Sequence, residues 1–185
     1  MATRSGKPLL SRDDWARAAL RAIERGGVKG VAVDRLAKEF ETTRGSFYWH
    51  FHDRDDLIAA ALELWERENT TDRLGVVLSI DDPLQRLKAV VAEVYERPVD
   101  EIEVTLVSEA HEPPVAAVFA RVTQARLDVL RSTLVEVGLP EAEAERRAWL
   151  AYALYLGHHQ LLRNPDLAAR GPASMQFVIR LLTSP

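Results

Sequence analysis

The sequence predicts an all-α fold, and three observations carry that expectation. Apolar residues recur at spacings of three and four through almost the whole chain, the signature of helices with one buried face. Ser, Thr or Asp residues precede these runs and Gly or Pro follow them, which marks helix starts and stops. The single β-branched stretch, Ile102 to Val107, has no second strand to pair with, so it too is read as helix. With 47% hydrophobic and 28% charged residues among 185, the chain can bury a core and does not have the composition of a disordered protein.

Each element follows in order. Ser11 is placed to cap a first helix, with Asp13 and Asp14 in its first turn, where the helix dipole favours anions. Trp15, Ala18, Ala19, Ala22 and Ile23 form its buried stripe, and Gly26-Gly27 ends it. A short second helix covers Val33 to Phe40, with Val33, Leu36, Ala37 and Phe40 on one face. The turn Glu41-Thr42-Thr43 leads to a third short helix, Arg44 to Phe51, which Thr43 can cap. Asp53 can cap a long fourth helix through Leu57, Ile58, Ala61, Leu62 and Trp65. Asp81-Asp82-Pro83 opens the next helix, expected to run to about Glu96 and end before Pro98. Pro113-Pro114 opens one that should reach Val137 and stop at Gly138. Pro140 opens another that continues through Trp149 and Leu156 to about Arg163, where Asn164-Pro165 ends it; Ala173 to Leu182 is the last.

Composition narrows the function classes. There is no cysteine, which removes disulfides, thiolate metal sites and a thiol nucleophile. No run approaches the roughly eighteen apolar residues of a membrane span, and Met1 to Pro8 lacks the apolar stretch of a signal peptide, so a cytoplasmic protein is expected. The net charge of −4 counts against nucleic acid only if it is evenly spread. It is not: residues 1–54 carry eleven Lys/Arg against seven Asp/Glu, a net +4, which leaves −8 on the remainder. A basic head on an acidic body suggests a polyanion-binding module joined to something else. The alternative is that the cations are merely the solvated faces of helices.

Two short helices joined by a three-residue turn have the dimensions of a helix-turn-helix, whose second helix enters the DNA major groove. At about 100° per residue, Phe47 and Phe51 fall on a side that can pack on Leu36, Phe40 and the first helix, while Gly45, Ser46, Trp49 and His50 fall on the other. An outward Trp-His pair on a small domain suggests an interaction surface. Arg44 can reach guanine with its fork, Thr43 and Ser46 a phosphate or base edge, and Tyr48 and His50 phosphate oxygens. Gly45 weakens the helix, and close approach of its backbone to DNA is the expected return. Arg54, opening the fourth helix, can hold a phosphate together with nearby N–H groups. Any one of these residues alone is more often a solvated surface group; their joint spacing is what is specific.

Thr43 to Ile58, preceded by Val33-Asp34-Arg35-Leu36-Ala37, resembles the DNA-binding domain of TetR/AcrR-family transcriptional regulators, over roughly residues 8–68 with the helix-turn-helix at about 32–51. The aromatic cluster, the basic residue three positions after Phe51 and the following Leu carry the likeness. The resemblance implies an all-α homodimer of about nine helices, with residues 69–185 forming a helical effector-binding and dimerisation domain. It places Thr43, Arg44, Gly45, Ser46, Tyr48, Trp49, His50 and Arg54 towards DNA. One departure is visible: Ala32-Val33 stands where such proteins commonly have Thr, so the second helix loses a cap and a phosphate contact, for which Arg35 is placed to compensate.

In the acidic body the stretch Ala148 to Leu156 is apolar nearly all round, as expected of a helix buried on two sides. A second subunit explains one of those sides, and a single thick monomer core is the alternative. Trp149, Tyr152, Tyr155, Leu156, Phe177, Val178 and Leu181 are the expected dimer residues, matching where the family forms its four-helix contact. Trp65, Tyr95, His111, Phe119, Trp149 and Tyr152 are candidates for an effector pocket. His111-Glu112 and His158-His159 are adjacent pairs whose side chains diverge along a helix, so no metal and no cofactor is expected. The leading expectation is a regulator, a repressor in class, that binds a palindromic DNA operator and is released by a small-molecule effector. The competing readings are an all-helical enzyme using His111, Glu112 and His158, and a protein-interaction module with no DNA role.

Overall fold

The computed structural model describes residues 10–96, 100–168 and 175–184, and their secondary structure is helical throughout. The chain divides into two compact units, Met1–Trp65 and Glu66–Pro185.

In the first unit, α1 (Arg12–Gly26) begins with a reciprocal cap. The Ser11 hydroxyl accepts from the Asp14 N–H at 3.1 Å, and the Asp14 carboxylate accepts from the Ser11 N–H at 2.8 Å. The Ser11 hydroxyl, which also donates to that carboxylate at 2.7 Å, and then the Ser11 N–H hold the Asp14 carboxyl below its ordinary range. Gly27, at φ 66°, ends the helix and leads into a 3-10 turn, Val28–Gly30. That turn lies so close to α1 that a Cβ on Gly30 would meet the Ala22 carbonyl at 3.0 Å. Three further helices follow: α2 (Val33–Glu39), α3 (Arg44–Tyr48) and α4 (Arg54–Glu66).

Trp15, fully buried, is the hub of this unit: its ring meets Phe40 edge-on at 5.1 Å and Phe47 at 5.5 Å. Phe47 in turn stacks on Phe51 at 5.5 Å. The third helix is shorter than the expected Arg44 to Phe51. It closes at Tyr48 because the N–H groups of His50 and Phe51 both return to the Phe47 carbonyl, turning the chain towards α4. Thr43 is extended, but its side chain makes no capping bond, since the Ser46 N–H is taken by the Thr43 carbonyl instead. Asp53 does cap α4, accepting from the Asp56 N–H at 2.9 Å.

The second unit opens on a π turn, Arg67–Thr71, that the sequence did not signal, followed by α5 (Asp72–Leu78). Then come α6 (Pro83–Glu96), α7 (Glu101–Ser108), α8 (Pro113–Val137), α9 (Glu141–Leu162), α10 (Pro165–Ala168) and α11 (Met175–Thr183). The ambiguous β-branched stretch is therefore helix, begun by Asp100, whose carboxylate accepts from the Ile102 and Glu103 N–H groups at 3.0 and 3.1 Å. The start of the last helix expected at Ala173 lies outside the described residues.

Helices α8 and α9 form a hairpin through Gly138, whose φ of 114° suits only glycine, with α6 and α11 packed against it. Their core is built from Leu87, Val91, Leu127, Leu130, Leu134, Ala148, Val178 and Leu182. Buried Arg86 ties the α5–α6 turn to α8, donating to the Ile80 carbonyl at 2.9 Å and to Glu136 at 2.8 Å. Arg147 holds the end of α11 by donating to the Leu182 carbonyl at 3.0 Å. No described helix is long and apolar enough to cross a membrane.

Candidate nucleic-acid interface and ligand cavity

The path from α2 to α3 is fixed by its backbone. Glu41 takes a left-handed conformation, φ 50°, and the Thr42 N–H returns to the Ala37 carbonyl at 2.8 Å. Phe40, at the end of α2, and buried Phe47 then lock the two helices onto Trp15. With one side of α3 anchored, the other is left to solvent: Tyr48 is 61% and Trp49 87% exposed. Thr43, Arg44 and Gly45 are exposed beside them, and Ser46 and His50 are half-buried. A Cβ on Gly45 would meet only the Thr43 hydroxyl at 3.4 Å, so nothing inside the protein demands glycine there.

Two arginines differ from expectation. Arg44 forms a two-bond ion pair with Asp34 of α2, which holds the Asp34 carboxyl below its usual range. Arg54 does not reach out: its guanidinium turns back and donates to the carbonyls of Val31 at 2.8 Å and Val28 at 2.5 Å. A part-buried fork that fills two backbone acceptors is worth more in place than displayed to solvent. Arg54 is thus a brace for the turn that carries α2 rather than part of the outward set.

A further brace was not foreseen from the sequence. Arg12 donates to the His50 carbonyl, pairs with Asp56 at 2.9 Å and lies 4.2 Å over the Phe51 ring. It thereby joins α1, the end of α3 and α4. Asp56 also accepts from the His52 N–H at 3.0 Å, and Arg12 first, then that bond, holds its carboxyl below the usual range. The partners sit 44 residues apart in sequence, so no local pattern announces them.

Residues 16–61 match the family model of bacterial regulatory proteins, tetR family. The chain is 34% identical over 87 residues to the HTH-type transcriptional regulator AcrR of Shigella flexneri. Over these residues the chain resembles TetR/AcrR-family regulators. That match spans 45% of this chain and 39% of the AcrR chain, so it covers well under half of that relative. The fold is similar over nearly the whole length to solved structures. A transcriptional regulator from Rhodococcus sp. Rha1 superimposes with a TM-score of 0.73 at 23% identity, covering 94% of each chain. AibR, solved in complex with isovaleryl coenzyme A and operator DNA, gives 0.65 at 17% identity over 93% of this chain and 95% of its own.

The second unit contains a cavity of about 150 Å³, walled by the π turn, α5, α6, α7, α8, α9 and α11. Aliphatic side chains dominate: Leu74, Val77, Val90, Val91, Val129, Leu130, Leu154, Val178 and Leu182. One end is polar. Buried Glu103 pairs with Arg126 and accepts from the Tyr155 hydroxyl at 2.5 Å, while Arg126 also donates to the Asn69 carbonyl in the π turn at 3.1 Å. Burial and the Glu103 charge push the Tyr155 hydroxyl far above its usual range, so it stays protonated. Burial alone would lower Arg126, but its neighbours together, the Glu103 charge first, more than offset it.

Of the residues singled out for an effector pocket, Tyr152 lines this cavity and donates or accepts a bond with Thr123 at 3.1 Å. Trp65 is fully buried at the end of the first unit, Phe119 is half-buried, and His111 and Trp149 are exposed; none of the four is on the cavity wall. The Tyr95 side chain lies outside the described residues. The polar end was missed because Glu103, Arg126 and Tyr155 come from three helices and share no local spacing.

The residues singled out for a dimer surface also divide. Trp149, Phe177 and Leu181 are exposed and Leu156 is half-buried, and Leu150 joins them one step along α9. Tyr152 and Val178 point inward and are buried, and Tyr155 reaches in to Glu103, a correction that follows from helical phase. The stretch Ala148 to Leu156 is apolar on two sides because one side faces its own core and the other faces out. Among the described residues no group of three His, Asp or Glu side chains converges as metal ligands would.

Proposed function

We propose that the chain is a dimeric, sequence-specific DNA-binding regulator, a repressor that leaves a palindromic operator when a small molecule fills the cavity of its second unit. The observation that carries this reading is the exposed Tyr48-Trp49 pair on α3, a helix whose opposite side is fixed by buried Phe47. An aromatic pair presented so rigidly beside Arg44, Gly45 and Ser46 suits insertion into a major groove, with tyrosine on phosphate and the arginine fork on guanine. For guanine to receive Arg44, the Asp34 pair has to open, which fits an exposed pair of small net worth.

The dimer rests on the apolar row of Trp149, Leu150, Leu156, Phe177 and Leu181, which a two-fold contact would cover with the same row of a second copy. A mainly apolar cavity supports a small-molecule effector. The structural neighbour AibR, solved with isovaleryl coenzyme A and operator DNA, supports pairing these two roles on one chain. This reading gives the protein no catalytic role.

A footprint over the DNA upstream of its own reading frame, with and without candidate small molecules, tests the proposal. Protection is expected to weaken steeply with added salt, as phosphate contacts require. Tyr48→Ala is expected to lose protection with its helicity unchanged. Protection that persists in Tyr48→Ala, or that ignores salt, would overturn the reading.

A further inference from the structure

The cavity also states what kind of molecule it accepts, an inference that rests on reading it as a ligand site. Its volume, about 150 Å³, is on the scale of cavities that hold a single benzene-sized ring. Most of its wall is aliphatic. Every formal charge on that wall already has a partner within the protein. Arg126 is paired with buried Glu103, Arg73 with Glu93 at 3.1 Å, and Asp100 accepts the first N–H groups of α7.

A carboxylate entering this space would have to draw Arg126 or Arg73 from its partner, and an ammonium would have to draw Glu103 or Glu93. Exchange at the largely buried Arg126–Glu103 pair leaves one charge uncompensated among apolar side chains, which is strongly unfavourable. The exposed Arg73–Glu93 pair, by contrast, is a water-screened contact of small worth to an entering ion. A neutral hydroxyl disturbs no pair. The Tyr155 hydroxyl donates to Glu103, so its oxygen keeps lone pairs that can accept, and the Glu103 carboxylate adds further acceptor capacity. We propose that the cavity takes a compact, uncharged, largely hydrocarbon molecule of about one ring, anchored by a single hydrogen-bond donor at Tyr155 and Glu103, and that it rejects carboxylates and ammonium ions of the same shape.

Calorimetric titration of the full chain at neutral pH with benzyl alcohol, benzoate and benzylamine tests this directly. The alcohol is expected to bind, and each ion at least about tenfold more weakly. Equal or tighter binding of either ion, or no binding of the alcohol, overturns the proposal. Glu103→Gln removes the compensating charge from Arg126 and is expected to improve benzoate relative to the alcohol by about tenfold. An unchanged ratio in a folded Glu103→Gln protein overturns the charge argument.

Tyr155→Phe keeps both charges, and it is expected to weaken the alcohol without admitting benzoate; unaltered alcohol affinity would remove Tyr155 from the site. Ala151→Leu narrows the cavity and is expected to abolish alcohol binding, whereas wild-type affinity there would place the ligand elsewhere. These titrations need no DNA. Selective alcohol binding by a protein that leaves no footprint would uphold the ligand class and overturn the regulator.

Discussion

Arg44 and Arg54 stand ten residues apart in the same basic stretch, and the fold uses them differently. Arg44 is exposed and pairs with Asp34, while Arg54 is part-buried on the carbonyls of Val28 and Val31. Arg54→Ala is therefore expected to lower the stability of the first unit by about 1–3 kcal/mol, the range for leaving buried acceptors unmet, read as a fall in the denaturant midpoint. Gly45→Ala separates fold from contact in the opposite sense. A Cβ there has room and Ala favours helix, so stability is expected to rise by about 0.5–1 kcal/mol while operator affinity falls, measured by thermal unfolding and by footprint. Residue identity was legible for this outward row, because α3 places its side chains by simple angular phase. The partners of Arg12 and Arg54 were not, because they are set by chain segments far away in sequence.

At the scale of elements, the ends of helices were the most readable feature. Ser11, Asp53 and Gly138 act where their chemistry says, because capping is decided within four residues. The exceptions are instructive. Thr43 precedes α3 without a side-chain bond, and α2 starts at Ala32 with no side-chain cap at all. Ala32 is extended, the conformation of a capping residue, so Ala32→Ser is expected to raise stability by about 0.5–2 kcal/mol, measured by chemical denaturation.

The π turn Arg67–Thr71 carried no sequence signal; its Asn69 carbonyl is held by Arg126 of α8, a tertiary bond. On α9, burial first and the neighbouring His159 second hold the pKa of His158 below its usual 6.5. The unfolded chain then binds more protons below that value, so stability is constant above it and falls as pH drops beneath it. Thermal melts between pH 7.5 and 5.5 are expected to show this fall, and His158→Asn to reduce it.

For the whole molecule, the second unit presents an uncovered apolar row that a solitary chain would rarely leave exposed. Trp149→Glu combined with Leu181→Glu is expected to convert a dimer into monomers, read by light scattering, and to lower operator affinity by removing one of two linked contacts. A protein already monomeric before substitution would sink the dimer. The charge split fits this arrangement, since +4 on residues 1–54 and −8 on the rest would direct DNA to two basic heads.

By itself the sequence determined the all-helical class, most helix limits and the outward face of α3. All three depend on periodicity and on capping chemistry that acts over a few residues. Only the tertiary structure decided which side of α9 faces the core, where Arg54 spends its hydrogen bonds, and that Glu103, Arg126 and Tyr155 meet at one end of a cavity. Those facts depend on which distant segments pack together, and a helix that is apolar on two sides carries no local mark of which side turns inward.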